Sequence, residues 1–267
     1  MNIVITGASR GLGLSHAKIL SNINSNKVII TDISKSASSA FSQNDKILLK
    51  KLILKKNVDI VYGDLNKNTD VVNILKKIKK IFNDKIDTVI CNAGGDIPGN
   101  KLNAFGNKSK KNDYMISTKQ FNNIFKRNFN TSFNFLKLII PVMKKNNYGK
   151  IITIGSVNAI TDQSNEFSYS IAKNSIIHYT KILARDLLKF NINVNCICPG
   201  PTMTSRFMHT LNQRKKEEQK IINKIKGLQR IAKPEDISKI VKFLISKEAD
   251  IFTGQLFIAD YGFSIGR

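Results

Sequence analysis

Tyr169 and Lys173 stand four residues apart in Tyr169-Ser170-Ile171-Ala172-Lys173. On a helix that spacing puts the phenol and the ammonium on one face. A free tyrosine titrates at about 10 and a lysine at about 10.4, so neither alone moves protons at neutral pH. A cation held close favours phenolate and brings the tyrosine toward the working range. Upstream, Gly149-Lys150-Ile151-Ile152-Thr153-Ile154-Gly155-Ser156 reads as a buried strand with Ser156 at its C-terminal end. Ligands of open parallel sheets bind beyond such ends. A phenol, an ammonium and a strand-end hydroxyl are the parts of an acid–base site.

The elements that must position them begin at the N-terminus. Asn2 to Thr6 reads as a buried parallel strand, followed by Thr6-Gly7-Ala8-Ser9-Arg10-Gly11-Leu12-Gly13 and a helical pattern through Leu14, Ala17 and Leu20. Strand, glycine turn and helix make a pyrophosphate site, because the backbone can approach the anion and the helix N-terminus offers N–H donors. A second strand, Lys27 to Asp32, ends in an acid 19 residues after Gly13. A carboxylate at that place accepts ribose hydroxyls and repels a 2′-phosphate, which favours NAD. Arg10 pulls toward NADP, which stays possible. A third strand, Val58 to Tyr62, leads to Asp64 and Leu65 at the adenine edge. Residues 70–82 form an amphipathic helix with Val71, Ile74, Leu75, Ile78 and Phe82 on one side. Ile86 to Cys91 is a fourth strand, ending at Asn92-Ala93-Gly94, and Phe121 to Lys145 reads as one long helix whose apolar side Asn128 interrupts.

The chain has 267 residues, 42% of them hydrophobic, enough for one sizeable core. No apolar run reaches the roughly 20 residues needed to span a bilayer, and the N-terminus enters a strand without the pattern of a signal peptide. Three cysteines without framework spacing suit a reducing, cytoplasmic compartment. The net charge of +24 invites a nucleic-acid reading. The lysines are spread along the chain among Asn and Ile residues, the mark of compositional bias, so neither nucleic acid nor membrane is expected as a partner.

These motifs together resemble the short-chain dehydrogenase/reductases. TGxxxGxG at Thr6–Gly13, the acid Asp32, Asp64-Leu65 and Asn92-Ala93-Gly94 match the dinucleotide half, with Cys91 where a second asparagine is common. The 13 residues from Ser156 to Tyr169 match the family's interval. The resemblance covers nearly the whole chain and implies a single α/β domain, 1–267, a Rossmann-like doubly wound parallel sheet of about seven strands. It implies that Tyr169 exchanges a proton with a ketone or alcohol oxygen, that Ser156 stabilises that oxygen, and that Lys173 tunes the phenol and grips the nicotinamide ribose. Asn128 completes the relay through a water. The cofactor-binding set is Gly7, Ser9, Arg10, Gly11, Leu12, Gly13, Asp32, Asp64, Leu65, Asn92, Ala93, Gly94, Tyr169 and Lys173, joined by Pro199, Gly200, Thr202 and Thr204 of a PGxxxT segment.

The implied activity is NAD(P)(H)-dependent interconversion of a secondary alcohol and a ketone, with NAD(H) favoured and NADP(H) possible. A 3-oxoacyl-carrier-protein reductase and a sugar or polyol dehydrogenase are the alternatives, with a non-catalytic dinucleotide-sensing protein as the remote one, disfavoured because Asn128, Ser156, Tyr169 and Lys173 are all in place. The first is weakened by Asn147 and Phe190 standing where basic residues are usual. Residues 95–118 form an extended loop and 200–230 a flap, both expected near a small-molecule substrate, with Phe207 and Met208 as candidate lining. A homotetramer or homodimer through the 121–145 and tyrosine helices is expected. Cys196 and Cys198 read as buried small side chains, with no metal. The turn Asp260-Tyr261-Gly262 departs from the family's Asp-Gly-Gly.

Overall fold

The structure is a computed structural model that describes residues 1–96, 112–161, 166–211 and 230–265. Seven strands form one parallel sheet: β1 (Asn2–Thr6), β2 (Lys27–Asp32), β3 (Val58–Tyr62), β4 (Thr88–Cys91), β5 (Gly149–Ile154), β6 (Ile192–Pro199) and β7 (Leu256–Ala259). Their order is β3-β2-β1-β4-β5-β6-β7, so the direction of winding reverses between β1 and β4. Helices cover both faces, which is why the central strands are apolar without alternation. Within β1 the side chains divide by face: Val4 joins Ile29, Val89 and Ile151 in one core, while Ile3 and Ile5 join Val28, Ile30, Ile90 and Ile152 in the other.

The first face is closed by α3 (Asn68–Phe82), α5 (Thr131–Lys145) and α6 (Phe167–Leu187). The second is closed by α1 (Gly11–Leu20), α2 (Gln43–Leu52) and α8 (Pro234–Leu244), with α1 packed against α8. Helix α3 begins two residues before the periodicity predicts and stops at Asn83, whose φ of 50° is the left-handed conformation that ends helices. The sequence reading did not anticipate α2. Only Leu49 and Leu52 are buried there, too few to print an apolar stripe. The strands expected over Ile86–Cys91 and Gly149–Ser156 were each too long by two residues, the extra residues lying in the flanking segments.

The single helix expected over 121–145 is three segments: α4 (Thr118–Phe125), a π-helical turn (Lys126–Asn130) and α5. A π turn inserts an extra residue and frees carbonyls of the regular ladder. Thr131 Oγ1 sits 2.9 Å from the Arg127 carbonyl and 3.1 Å from that of Asn128, so the hydroxyl takes up what the ladder releases. The result turns both Arg127 and Asn128 inward, where each is buried. Among the described residues no helix is long and apolar enough to cross a membrane.

The Asp260 turn survives the loss of the family's glycine. Tyr261 takes the left-handed conformation itself, at φ 53°. Asp260 accepts from Gly262 N and from Ser264 N and Oγ, and Arg230 donates to the Tyr261 hydroxyl at 2.6 Å.

Candidate active site

A cavity of about 330 Å³ opens beyond the C-terminal ends of the central strands, at the point where the winding reverses. Its first wall is the turn between β1 and α1, where Gly7, Arg10, Gly11 and Leu12 line it. Gly7 and Gly11 have φ of 60° and 55°, a region side chains avoid, and a methyl on Gly7 would come within 2.6 Å of the Ala93 backbone. Asn92 Nδ2 donates to the Thr6 and Gly7 carbonyls and ties the turn to β4. The strand-turn-helix cradle thus fits a pyrophosphate at the open end of α1.

Asp32 lines the same wall. Its Oδ2 accepts from Ser9 N at 3.0 Å and Ser9 Oγ at 2.6 Å, and its Oδ1 from Ile33 N at 2.8 Å. Ser9 is fully buried and stands behind the wall together with Gly13. Neither faces the cavity, and both act by shaping the turn. Arg10 reaches across to donate to the Ala37 carbonyl and lies 5.5 Å from the Phe41 ring. Asp64 and Leu65 close the far end, with Asp64 Oδ1 accepting from Asn66 N.

The opposite end holds the acid–base candidates. Ser156, at the end of β5, and Tyr169 and Lys173, on α6, all line the cavity. The Ser156 side chain acts on the Tyr169 phenol and favours its ionised form. Lys173 Nζ donates to the Ile154 carbonyl at 2.8 Å and lies 5.7 Å from the Tyr169 ring centre. Asn128 is buried behind them. Its Nδ2 donates to the Ile124 and Gly95 carbonyls, and its Oδ1 accepts from Gly95 N at 2.8 Å. A methyl on Gly94 would come within 2.7 Å of Asn128 Oδ1 and 3.2 Å of Lys173 Nζ, so the two side chains converge on a glycine that leaves them room.

The electrostatics correct one expectation. Lys173 was expected to lower the Tyr169 pKa, but the tyrosine is pushed well above the ordinary range. Burial is the main cause, the Glu166 charge adds to it, and the Ser156 side chain only partly offsets them. Burial also weakens Lys173 itself, which falls to about 8. Tyr169 is a neutral phenol at neutral pH, as an ordinary tyrosine is, and burial holds its proton more tightly.

The third wall comes from the segment after β6. Pro199, Gly200, Thr202 and Thr204 line it. Thr202 Oγ1 donates to the Gly200 carbonyl, and Thr204 Oγ1 accepts from Phe207 N to cap α7 (Ser205–Leu211). Phe207 lines the cavity as expected, while Met208 is half exposed and does not. Arg206 on α7 forms an ion pair with Asp96 across the opening. Residues 97–111 of the expected loop and 212–229 of the expected flap lie outside the described residues.

Sequence reasoning passed over Glu166, Asn158, Arg127, Asp96 and Arg206, all of which line the cavity. Glu166 had a usable signal, since it stands three residues before Tyr169 and that spacing shares a helix face. Arg127 had none, because only the π turn directs it inward. Cys196 and Cys198 are buried beneath Gly155. Among the described residues no group of three or more His, Cys, Asp or Glu side chains could hold a metal ion.

Comparison with known proteins agrees with this architecture. The family model described as enoyl-(acyl carrier protein) reductase matches residues 7–264. The chain is 35% identical over 253 residues to the 3-oxoacyl-[acyl-carrier-protein] reductase FabG of Buchnera aphidicola subsp. Baizongia pistaciae, covering 95% of this chain and 93% of that protein. It is 27% identical over 265 residues to the 7alpha-hydroxysteroid dehydrogenase of Bacteroides fragilis, covering 98% and 94%. Among solved structures, levodione reductase superposes with a TM-score of 0.83 at 21% identity, covering 100% of this chain and 98% of that one. The 3-ketoacyl-(acyl-carrier-protein) reductase of Brucella melitensis, solved with NADH, gives 0.81 at 23%, covering 99% and 98%. At those identities the structural matches speak for the fold, and the family rests on the sequence matches. The chain belongs to the short-chain dehydrogenase/reductase family, and it is an oxidoreductase of the kind that works with a nicotinamide dinucleotide.

Proposed function

We propose that the protein reduces a ketone to a secondary alcohol, and runs the reverse oxidation, with Tyr169 as the acid–base group. The observation that carries this reading is that Ser156, Tyr169 and buried Lys173 line one cavity together with the glycine turn and Asp32. A bound nicotinamide dinucleotide supplies or takes the hydride. The chain's own residues do the rest. Gly7, Gly11 and the N-terminus of α1 hold the pyrophosphate, and Asp32 takes the adenosine ribose hydroxyls. Thr202 and Thr204 stand on the nicotinamide side, and Lys173 grips its ribose. Ser156 Oγ and Tyr169 Oη hydrogen-bond the substrate oxygen, fix its position, and hold the charge that develops on it. Tyr169 gives its proton to that oxygen in the reduction and takes it back in the oxidation. Lys173 returns a proton to the phenolate, and Asn128, which converges with it on Gly94, holds the water that reprotonates the lysine.

NAD(H) is favoured over NADP(H), because the Asp32 carboxylate faces the cavity where a 2′-phosphate would have to sit. Arg10 is drawn away toward Ala37 and Phe41. The whole chain, 1–267, acts as one domain, with the 95–118 and 200–230 segments bordering the substrate. We expect a cytoplasmic enzyme that assembles as a homodimer or homotetramer through α4, α5 and α6. There the Phe125, Phe129 and Phe133 rings run in a ladder against Tyr179.

The test is turnover of ketone and alcohol panels with NADH, NADPH and their oxidised forms. Tyr169→Phe is expected to lower kcat by about 10²–10⁴-fold, the range for losing a positioned general acid, while NADH still binds by fluorescence titration. Near-normal turnover of that variant would sink the assignment. Reduction of a 3-oxoacyl thioester is the second reading, favoured by the FabG relatives. Lys144 and Lys189 both lie over the Phe190 ring, at 4.6 and 5.4 Å, so that end of α5 and α6 is basic despite Asn147 and Phe190 themselves.

A further inference from the structure

Helix α6 carries Tyr169 in its first turn, and the residue that closes that turn comes from far away in the chain. The first N–H groups of a helix have no partner within it. The side chain at the N-cap position of α6, Glu166, does not cap the helix. Asn112, 56 residues before Ser168, does so instead. Its carbonyl accepts from Phe167 N at 3.1 Å. Its Oδ1 accepts from Ser168 N at 3.1 Å and from Ser168 Oγ at 2.7 Å. Ser168 is fully buried, and Tyr169 is the next residue.

Asn112 is itself held by its neighbours. The Asp113 carbonyl accepts from Ile116 N at 3.0 Å and its Oδ1 from Met115 N at 2.9 Å, which folds the following segment into a turn. Ser117 then caps α4 by accepting from Gln120 N. The Phe121 ring of α4 meets the Phe167 ring of α6 with centres 6.4 Å apart. One segment thus grips the first turn of α6 twice, at its N–H groups and at its first side chain. Ser156 and Lys173 are anchored elsewhere. The serine follows β5, and the lysine lies one turn deeper in α6 and donates to the Ile154 carbonyl. Loss of the Asn112 grip therefore loosens Tyr169 and leaves its two neighbours in place. We infer that Asn112 is a positioning residue for the general acid: it fixes the first turn of α6 so that the Tyr169 phenol stays within reach of the substrate oxygen. This rests on the ketone-reductase reading above.

The experiment compares the full-length wild type with Asn112→Leu, which removes the side-chain acceptor and keeps the backbone carbonyl. kcat, KM and the NADH dissociation constant are measured, with cyclohexanone, 4-hydroxycyclohexanone and acetoacetyl-N-acetylcysteamine as substrates and NADH or NADPH as cofactor. kcat should fall by about tenfold or more on every ketone that is reduced, the scale of a lost helix cap and a misplaced catalytic group. KM and NADH binding should stay within about twofold, because the cofactor cradle lies on other elements. Asn112→Asp, whose carboxylate accepts the same two bonds, should recover most of kcat. In a Tyr169→Phe background Asn112→Leu should cost nothing further, since a residue that acts through the phenol has nothing left to position. Additive losses in that double variant overturn the inference, and so does an unchanged kcat in Asn112→Leu. So does a weaker KM or NADH binding at constant kcat. Where Asn112→Leu fails to fold, Ser168→Ala carries the same comparison with an expected loss of about threefold, the scale of one neutral hydrogen bond. If wild type reduces none of the three ketones with either cofactor, the ketone-reductase reading fails instead. Asn112 is then judged by amide exchange over residues 167–171 of the NADH-loaded protein. About tenfold faster exchange there in Asn112→Leu, with β5 unchanged, supports the grip on the tyrosine turn, and equal exchange overturns it.

Discussion

Lys173 has to keep a positive charge where burial works against it. From sequence its spacing suggested a cation that acidifies Tyr169, and the spacing does place both on one face of α6. What spacing could not convey is that burial raises the phenol and lowers the ammonium together. The linkage follows from the direction. Lys173 titrates at about 8 in the folded chain against an ordinary 10.5. Between those values the unfolded chain holds more protons, so this group's contribution to stability rises with pH across the window. Below about 8 both states are charged and the buried ammonium costs its full penalty. Urea titrations of wild type and Lys173→Met from pH 7 to 10.5 should show wild type gaining on the variant as pH rises. A pH-independent difference would show that the lysine is charged and solvated in the fold.

Helix α1 carries a second buried base, His16, at its contact with α8. Its Nδ1 lies 2.7 Å from Ser238 Oγ, which in turn reaches Ser15 Oγ and the Pro234 carbonyl. Burial lowers this histidine from 6.5 to about 3, so it stays neutral in the fold. An unfolded histidine protonates as pH falls below its ordinary value, so stability is lost from about pH 6.5 downward. Between pH 6.5 and 5 the loss from this residue should be about 1.6 kcal/mol, because the slope climbs from half of 1.36 kcal/mol per pH unit at pH 6.5 toward its full value. Denaturant melts at those two pH values should show a clearly smaller loss in His16→Gln, and equal losses would refute the linkage.

The helix α4–α5 shows what periodicity hides at the same scale. Phe121, Phe125, Phe129 and Phe133 recur every four residues, and that spacing persists through a π turn as well as through regular helix. One continuous helix was the natural reading. The turn that points Asn128 and Arg127 inward left no mark in the pattern. Asn128 could be singled out only because a polar amide broke an apolar face.

At the scale of the molecule, the net charge of +24 has no counterpart in the site chemistry. Such a chain repels itself when compact, and salt relieves the repulsion by shortening the Debye length from about 30 Å at 0.01 M to about 10 Å at 0.1 M. The urea midpoint should therefore rise over that range of sodium chloride, and a falling midpoint would mean that attractive pairs dominate. Retention on a heparin column should vary only gently with salt. A steep salt slope would bring back an anionic polymer as partner.

The sequence by itself determined the strand–turn–helix of the dinucleotide half and singled out Ser156, Tyr169 and Lys173 as the candidate trio. Those signals are local: a strand, a turn that needs glycine at positive φ, an acid at a strand end, and a phenol and an ammonium at helical spacing. Their chemistry follows from residue type and short offsets along the chain. The tertiary structure alone decided which residues face the cavity and in what protonation state. It put Ser9 behind Asp32, brought Glu166 and Arg127 into the wall, and paired Asp96 with Arg206 across the opening. Orientation, burial and charge neighbourhood arise from segments far apart in sequence, and they set a pKa as strongly as the residue type does. Tyr169 stood out as the candidate reacting group from its spacing to Lys173 and Ser156, and the fold decided how deeply it is buried and which charges surround it.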